Sequence, residues 1–280
     1  MNIIFSILII AAPLLLITLG ALISEYAGRL AMFIEYIINL GAFFCYLFTV
    51  ETHSAVIGSL LSVIICSLIV WILERISSYF KANMFLISLA MGLLFQSVIS
   101  LLSVQIFGTR GVLYESNFTF GSTEVKITTS VICYLISFIL IFMLKYTKTG
   151  LKLRITGSDS DVLKAEGISP DFYRSLSWII ASASGALCGC VLCLRVSSYV
   201  PLLSSGKGWT ALAAVFLGRK NPLIVVLAVI VFAISEYEST NIQNIPLFAN
   251  IPSSILLSLP YLVSLLLIIV VPQKKELNDR

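Results

Sequence analysis

Ser54-Ala55-Val56-Ile57-Gly58-Ser59-Leu60-Leu61-Ser62-Val63-Ile64-Ile65-Cys66-Ser67-Leu68-Ile69-Val70-Trp71-Ile72-Leu73 runs for twenty residues without a charged side chain. Twenty residues of α-helix rise about 30 Å, the thickness of a bilayer's hydrocarbon core. A strand of a membrane barrel would alternate apolar and polar residues, and this run does not. It reads as a helix that crosses a membrane. Moving outward from it, stretches 2–21, 31–50, 84–107, 126–144, 176–194, 222–239 and 253–271 read the same way. The fold class is all-α: a polytopic integral membrane helical bundle of about eight spans. Stretch 208–217 rises only about 15 Å as a helix. It reads as one short re-entrant helix, tolerable where it is buried in protein or lines a cavity.

The whole chain agrees with this reading. Of its 280 residues 59% are hydrophobic and 11% charged, and mean hydropathy is +1.03. Soluble domains carry about 25% charged residues, so a soluble enzyme and a disordered chain are both excluded. The lipid bilayer is the surrounding partner, and the net charge of +4 speaks to topology and not to nucleic acid. Cys45, Cys66, Cys133, Cys188, Cys190 and Cys193 all lie in apolar runs, where thiols act as small hydrophobes. Cys188 and Cys190 point to different helix faces and no histidine accompanies these two or Cys193, so no metal site is expected. No cofactor is expected either. Ser204-Ser205-Gly206-Lys207-Gly208 lacks the upstream glycine and the following Ser/Thr of a phosphate-binding loop, so the chain is not expected to be an enzyme that hydrolyses ATP. Asn117-Phe118-Thr119 fits a glycosylation sequon.

Lysine and arginine positions orient the bundle. With the polar 145–175 loop in the cytoplasm, fourteen of eighteen basic residues fall on that side, leaving Arg110, Lys126, Arg195 and Lys207 opposite. The N-terminus is then outside and the C-terminus inside. Ala181, Gly185 and Gly189 recur at four-residue spacing, a face that lets helix backbones approach closely.

Within the 145–175 loop, Ser158 can cap a short helix over 159–166, with Asp161 three residues on. Gly167 is a natural stop and Pro170 follows it. This two-turn helix presents Val162, Leu163 and Ala165 with no bilayer to bury them. It reads either as a docking element for a partner or as a connecting loop touching headgroups.

Several segments carry a family resemblance. Gly150-Leu151-Lys152-Leu153-Arg154-Ile155-Thr156-Gly157 with Ala165-Glu166-Gly167-Ile168 resembles the cytoplasmic coupling region of ABC importer permeases of the branched-chain amino acid and ribose class. Gly206-Lys207-Gly208-Trp209-Thr210-Ala211-Leu212-Ala213-Ala214-Val215-Phe216-Leu217-Gly218-Arg219-Lys220-Asn221-Pro222 is similar to the glycine-rich signature of the nucleoside-type subgroup. Ile251-Pro252 with Leu259-Pro260-Tyr261-Leu262, the segment Ala12-Pro13-Leu14-Leu15-Leu16, Glu35, Gly41-Ala42-Phe43-Phe44 and Ala82-Asn83 fit the same subgroup in order and spacing. Departures fall at Ala31, Phe33 and Tyr36, where the subgroup carries an Asn and two Gly, and at Ile224, where it carries Gly.

The resemblance implies a single transmembrane permease domain over 1–280 with a cytoplasmic coupling loop at 145–175. It implies a transport subunit of an ATP-driven importer in the bacterial cell inner membrane, carrying a purine nucleoside or riboflavin, with a simple sugar as the wider family's cargo. Its partners would be a cytoplasmic ATP-binding subunit, a second permease subunit and an extracytoplasmic substrate-binding lipoprotein. Asp161, Val162, Leu163, Ala165 and Gly167 would form the ATPase coupling element. An ion-coupled secondary transporter is the alternative; it would want more intramembrane carboxylates and has no use for a coupling helix.

For the substrate pathway the residues point to Glu35, Asn39, Gln96, Trp209 and Thr210. A carboxylate inside a span is costly and reads as functional by default. The competing reading pairs Glu35 structurally with Arg29 or Arg75. Asn39 shares the face of Glu35 one turn on, Gln96 and Asn83 add polar groups on the fourth span, and Trp209 and Thr210 open the short helix, whose N-terminal end carries partial positive charge. The alternative for Trp209 is an interfacial anchor. His53 reads as a solvated loop residue, and Glu236 and Glu238 as a solvated outer rim.

Overall fold

A computed structural model describes residues 3–115, 118–242 and 258–270. The described helices are α1 (Ile3–Tyr26), α2 (Ile34–Thr52), α3 (Ala55–Tyr79), α4 (Met84–Phe107), α5 (Thr123–Tyr146), α6 (Lys148–Ser158), α7 (Ser160–Ala165), α8 (Pro170–Val196), α9 (Lys207–Gly218), α10 (Pro222–Ile242) and α11 (Leu259–Val270). Among them α1, α2, α3, α4, α5, α8 and α10 are long and apolar enough to cross a membrane. The expected eighth span is described only from Ser258 onward, as α11. Residues 253–257, Ile251-Pro252 and Asn117 lie outside the described residues.

The core is built around α8, which packs against α1, α2 and α3. The small residues along it are the reason. A Cβ on Gly189 would stand 2.0 Å from the Ile38 carbonyl oxygen, and one on Gly185 would stand 2.5 Å from Ile37 Cγ2. From the opposite side, a Cβ on Gly41 would meet Ala186 Cα at 2.5 Å. Backbone therefore lies on backbone along the α2–α8 seam, which side chains at these positions would prevent.

This seam also sets depth. Ile34 and Ile37 pack at Gly185, fifteen residues beyond Pro170 and so about 22 Å of rise along α8. Tyr36 lies against Gly92, eight residues into α4. The first turn of α2 thus begins well inside the bundle.

The 145–175 loop holds two helices where the sequence pointed to one. The missed helix is α6, whose Gly150, Thr156 and Gly157 are weak helix formers. Tertiary packing overrides that preference: Leu153 is buried, and Gly157 sits so close to α1 that a Cβ would meet the Tyr26 carbonyl oxygen at 2.1 Å. The N-cap of α7 is Asp159 and not Ser158. Asp159 Oδ1 accepts from Asp161 N at 3.0 Å, whereas the Ser158 hydroxyl lies 3.4 Å from the Ile155 carbonyl of the preceding helix. The stop falls as expected at Gly167, with φ +74°, and Pro170 opens α8.

Candidate functional site

Beyond α8 the chain turns back into the bundle. Tyr199 pairs with Leu113 through two backbone hydrogen bonds of 2.9 and 3.1 Å, and its ring stands edge-on to Phe43. Five residues later Ser204 N donates to Asn39 Oδ1 at 3.0 Å, and Asn39 Nδ2 donates to Ser204 Oγ at 2.8 Å. Gly206, with φ +78°, then caps α9. The twelve residues of α9 rise about 18 Å towards Arg219 and Lys220, where Tyr26 Oη donates to the Lys220 carbonyl. The short helix is therefore a half-helix whose N-terminus lies at the level of the α2 first turn, inside the bundle.

The first N–H groups of a helix have no partner within it and carry partial positive charge. Glu35 supplies what they lack. Its carboxylate accepts from Gly208 N at 2.7 Å, Gly206 N at 2.8 Å and Ser204 Oγ at 2.5 Å. A Cβ on Gly208 would stand 2.5 Å from Glu35 Cα, so glycine is what allows the two backbones to touch. Glu35 is thus neither unpartnered nor paired with Arg29 or Arg75. It caps a helix on a distant part of the chain, deeper in the bundle than the second span alone suggested.

Four of the five expected pathway residues gather here. Thr210 is buried, its hydroxyl donating to the Lys207 carbonyl at 2.9 Å. Trp209, 39% exposed, stands edge-on to Tyr36 with ring centroids 6.5 Å apart. Gln96 lies one turn beyond Gly92 on α4. Its Oε1 is buried with no hydrogen-bond partner, and its residue lines a groove of about 430 Å³ with Ser97, Ser100, Gln105 and Arg110. Asn83 is accounted for locally, capping α4 by accepting from Phe85 N at 3.0 Å. His53 sits at the left-handed C-cap of α2.

Three residues at this site were missed or misread in sequence. Glu236 is not a solvated rim: it receives a hydrogen bond from Lys207 Nζ in an ion pair. Lys207 is likewise no outer-loop charge but the first residue of α9. Tyr261, at the start of α11, donates to the Ser205 carbonyl beside them. The Gly206-Lys207-Gly208 run was the available signal, since two glycines flanking one charge mark a close approach of backbone.

A second polar cluster closes the end of the bundle that carries the 145–175 loop. Arg29 Nη1 donates to Glu74 Oε1 at 2.6 Å, and Glu74 also accepts from Ser78 Oγ at 2.8 Å and Ser175 Oγ at 2.6 Å. Arg29 Nη2 reaches Asp171 at 3.4 Å, and Trp178 Nε1 donates to the Arg29 carbonyl at 2.7 Å. Burial pushes Arg29 below the usual arginine range, opposed by the Glu74 charge. Glu74 gives no signal in the sequence because the uncharged third run ends at Leu73, one residue before it.

The expected coupling residues lie in α7 and its stop, and they differ in exposure. Val162 is 46% exposed, and Asp161, Ala165 and Gly167 are exposed. Leu163 is 0% exposed, against the expectation that it stands free; it is the anchor by which so short a helix is held. The Lys164 ammonium, hydrogen-bonded to Asp161 at 2.8 Å, holds that carboxyl below its ordinary value.

Comparison with known proteins agrees along the chain. The family model described as "Branched-chain amino acid transport system / permease component" matches residues 3–272. The nucleoside ABC transporter permease protein NupC of Lactococcus lactis is 22% identical, over 95% of this chain and 90% of that protein. The guanosine ABC transporter permease protein NupQ of Bacillus subtilis is 25% identical, over 92% of this chain and 88% of that protein. Among solved structures, PsaBC from Streptococcus pneumoniae in complex with Fab superposes with a TM-score of 0.52 at 15% identity, covering 99% of this chain and 95% of that one. An inward-facing metal-chelate type ABC transporter gives 0.57 at 17% identity, covering 94% and 84%.

Proposed function

This chain belongs to the permease component family of branched-chain amino acid transport systems, and on that premise we propose that it is the membrane-spanning subunit of an ATP-driven importer for a nucleoside. The observation that carries the substrate class is the likeness to two nucleoside-type permeases over more than nine-tenths of this chain. Hydrolysis belongs to a cytoplasmic ATP-binding subunit. A second permease subunit, an extracytoplasmic substrate-binding lipoprotein and placement in the bacterial inner membrane complete the reading. The pathway passes the start of α9, where Glu35 and Asn39 hold the half-helix and Trp209 and Thr210 present aromatic and polar surface, and continues past Gln96 on α4. The partnerless Gln96 Oε1 supports this, because buried acceptors are satisfied almost everywhere in folded proteins. Riboflavin and simple sugars are the competing cargoes.

The test is uptake of labelled guanosine, riboflavin and ribose by cells that lack their own nucleoside transport and make this chain with its partner subunits. Guanosine uptake that disappears without the ATP-binding subunit is the expected result. Uptake that persists without that subunit would instead establish an ion-coupled secondary transporter, and uptake of riboflavin or ribose alone would replace the cargo.

In this reading α7 docks the ATP-binding subunit through Val162 and its exposed neighbours. Val162→Asp is expected to abolish uptake while the protein accumulates normally, because the side chain already faces water. Leu163→Asp should reduce the amount of folded protein as well, since it buries a carboxylate with no partner. Equal accumulation of the two variants, measured by quantitative blotting of membranes, would contradict the different roles given to these neighbours.

A further inference from the structure

The Lys207–Glu236 ion pair borders a cavity of about 280 Å³ between the start of α9, α10 and the start of α11. Ser205, Thr210, Ser239, Ser258 and Tyr261 complete its polar lining. Ionisable residues inside a membrane bundle pair with one another, face water-filled cavities and mark solute paths. Discontinuous helices whose N-termini lie at depth are where transporters place such sites.

The hydrogen-bond inventory of this cavity is one-sided. Thr210 donates its proton to the Lys207 carbonyl, Ser239 to the Glu236 carbonyl at 2.8 Å, and Tyr261 to the Ser205 carbonyl. A hydroxyl whose proton is committed can still accept. Glu236 has a second carboxylate oxygen besides the one held by Lys207. The lining therefore offers several acceptors, against few free donors: the Ser205 hydroxyl and the remaining N–H groups of Lys207. Charge points the same way: Lys207 is already neutralised by Glu236, so the lining keeps no net positive charge with which to hold an anionic solute in a low-dielectric interior. The volume lies just below the ~300–1,000 Å³ of drug-sized pockets, so the cavity takes one small molecule.

We infer that this cavity is a substrate subsite for a neutral, donor-rich nucleoside, whose base presents N–H groups to the Glu236 carboxylate and whose sugar hydroxyls donate to Ser239, Thr210 and Tyr261. The inference rests on the nucleoside reading above and adds to it a place and a selectivity: unphosphorylated over phosphorylated, and bases with more N–H donors over those with fewer.

Two measurements on the assembled transporter test it. In the first, Ser205→Cys is labelled with a small water-soluble thiol reagent. The six natural cysteines are buried, so background is low. Labelling should be slowed severalfold by guanosine and left unchanged by guanosine monophosphate. In the second, the ratio of guanosine to inosine uptake is compared between the natural protein and Glu236→Gln. Inosine lacks the exocyclic amine, so the ratio should fall about tenfold, the equivalent of one hydrogen bond to a charged group. A ratio is insensitive to how much variant protein folds. Failure of Ser205→Cys to label, equal labelling with and without guanosine, or protection by the monophosphate overturns the subsite. So does an unchanged uptake ratio. If the natural protein takes up neither nucleoside, the nucleoside reading itself falls and the subsite with it.

Discussion

Glu74→Ala is expected to destabilise the protein by about 3–5 kcal/mol, the cost of removing one partner from a buried ion pair. The Glu74 side chain is 1% exposed and takes three hydrogen bonds, from Arg29, Ser78 and Ser175. Without it, Arg29 stays 13% exposed and retains one carboxylate, Asp171, 3.4 Å away and itself 63% exposed, besides the Ser78 hydroxyl at 3.2 Å. Asp171→Asn provides the contrast, because an exposed pair is worth about 1 kcal/mol or less. The buried cysteines supply the readout. A thiol-reactive dye that fluoresces on reaction reports the temperature at which the detergent-solubilised protein opens. Glu74→Ala should melt far below the natural protein and Asp171→Asn close to it. Coincident melting of the two variants would mean that Glu74 is not the centre of the cluster. Since Arg29 lies between α1 and α2, Asp171 opens α8, and Gly157 of α6 rests on the end of α1, the cluster joins the α6–α7 segment to the α2–α8 seam.

The second large effect belongs to Gly189. In an unpacked helix Gly→Ala gains about 1 kcal/mol. Here the new Cβ would lie 2.0 Å from the Ile38 carbonyl oxygen and 2.8 Å from Ala42 N, both backbone atoms of α2. Neither can move without shifting the helix, so Gly189→Ala should destabilise by about 3 kcal/mol, the upper part of the usual overpacking range. Gly20→Ala is the informative partner. Its Cβ would meet chiefly the Ser184 hydroxyl at 1.9 Å, and a serine can change rotamer. Its cost should be smaller, about 1 kcal/mol. The same dye melt orders the two variants, and a milder effect at Gly189 would show that the α2–α8 seam is looser than the packing implies.

Much of this was open to reading along the chain. Long apolar runs made seven of the spans plain, because a bilayer asks only for length and apolarity from consecutive residues. Four-residue spacing exposed the small face of α8, and Gly167 with Pro170 marked a helix end and the next beginning. The half-helix was readable too, since ten apolar residues are too few to cross. The readings that failed concern partners. Leu163 looked free because nothing local covers it, and its burial comes from the fold around it. The helix α6 was hidden by two glycines that tertiary packing requires. Glu236 and Lys207 appeared as unrelated surface charges, 29 positions apart in sequence.

Glu35 draws the line between the two kinds of information. That a carboxylate lies inside an apolar span, and so must have a partner, follows from sequence alone. Which partner it takes does not, because its ligands Ser204 and Gly208 stand 169 and 173 positions away. Membrane crossing is a property of neighbouring residues added together, so sequence determined the bundle, its spans and the short helix. Satisfying a buried charge depends on whichever donors the folded chain brings within about 3 Å, so only the tertiary structure could decide that Glu35 holds the start of α9, that Glu74 holds Arg29, and that Lys207 and Glu236 face a cavity together.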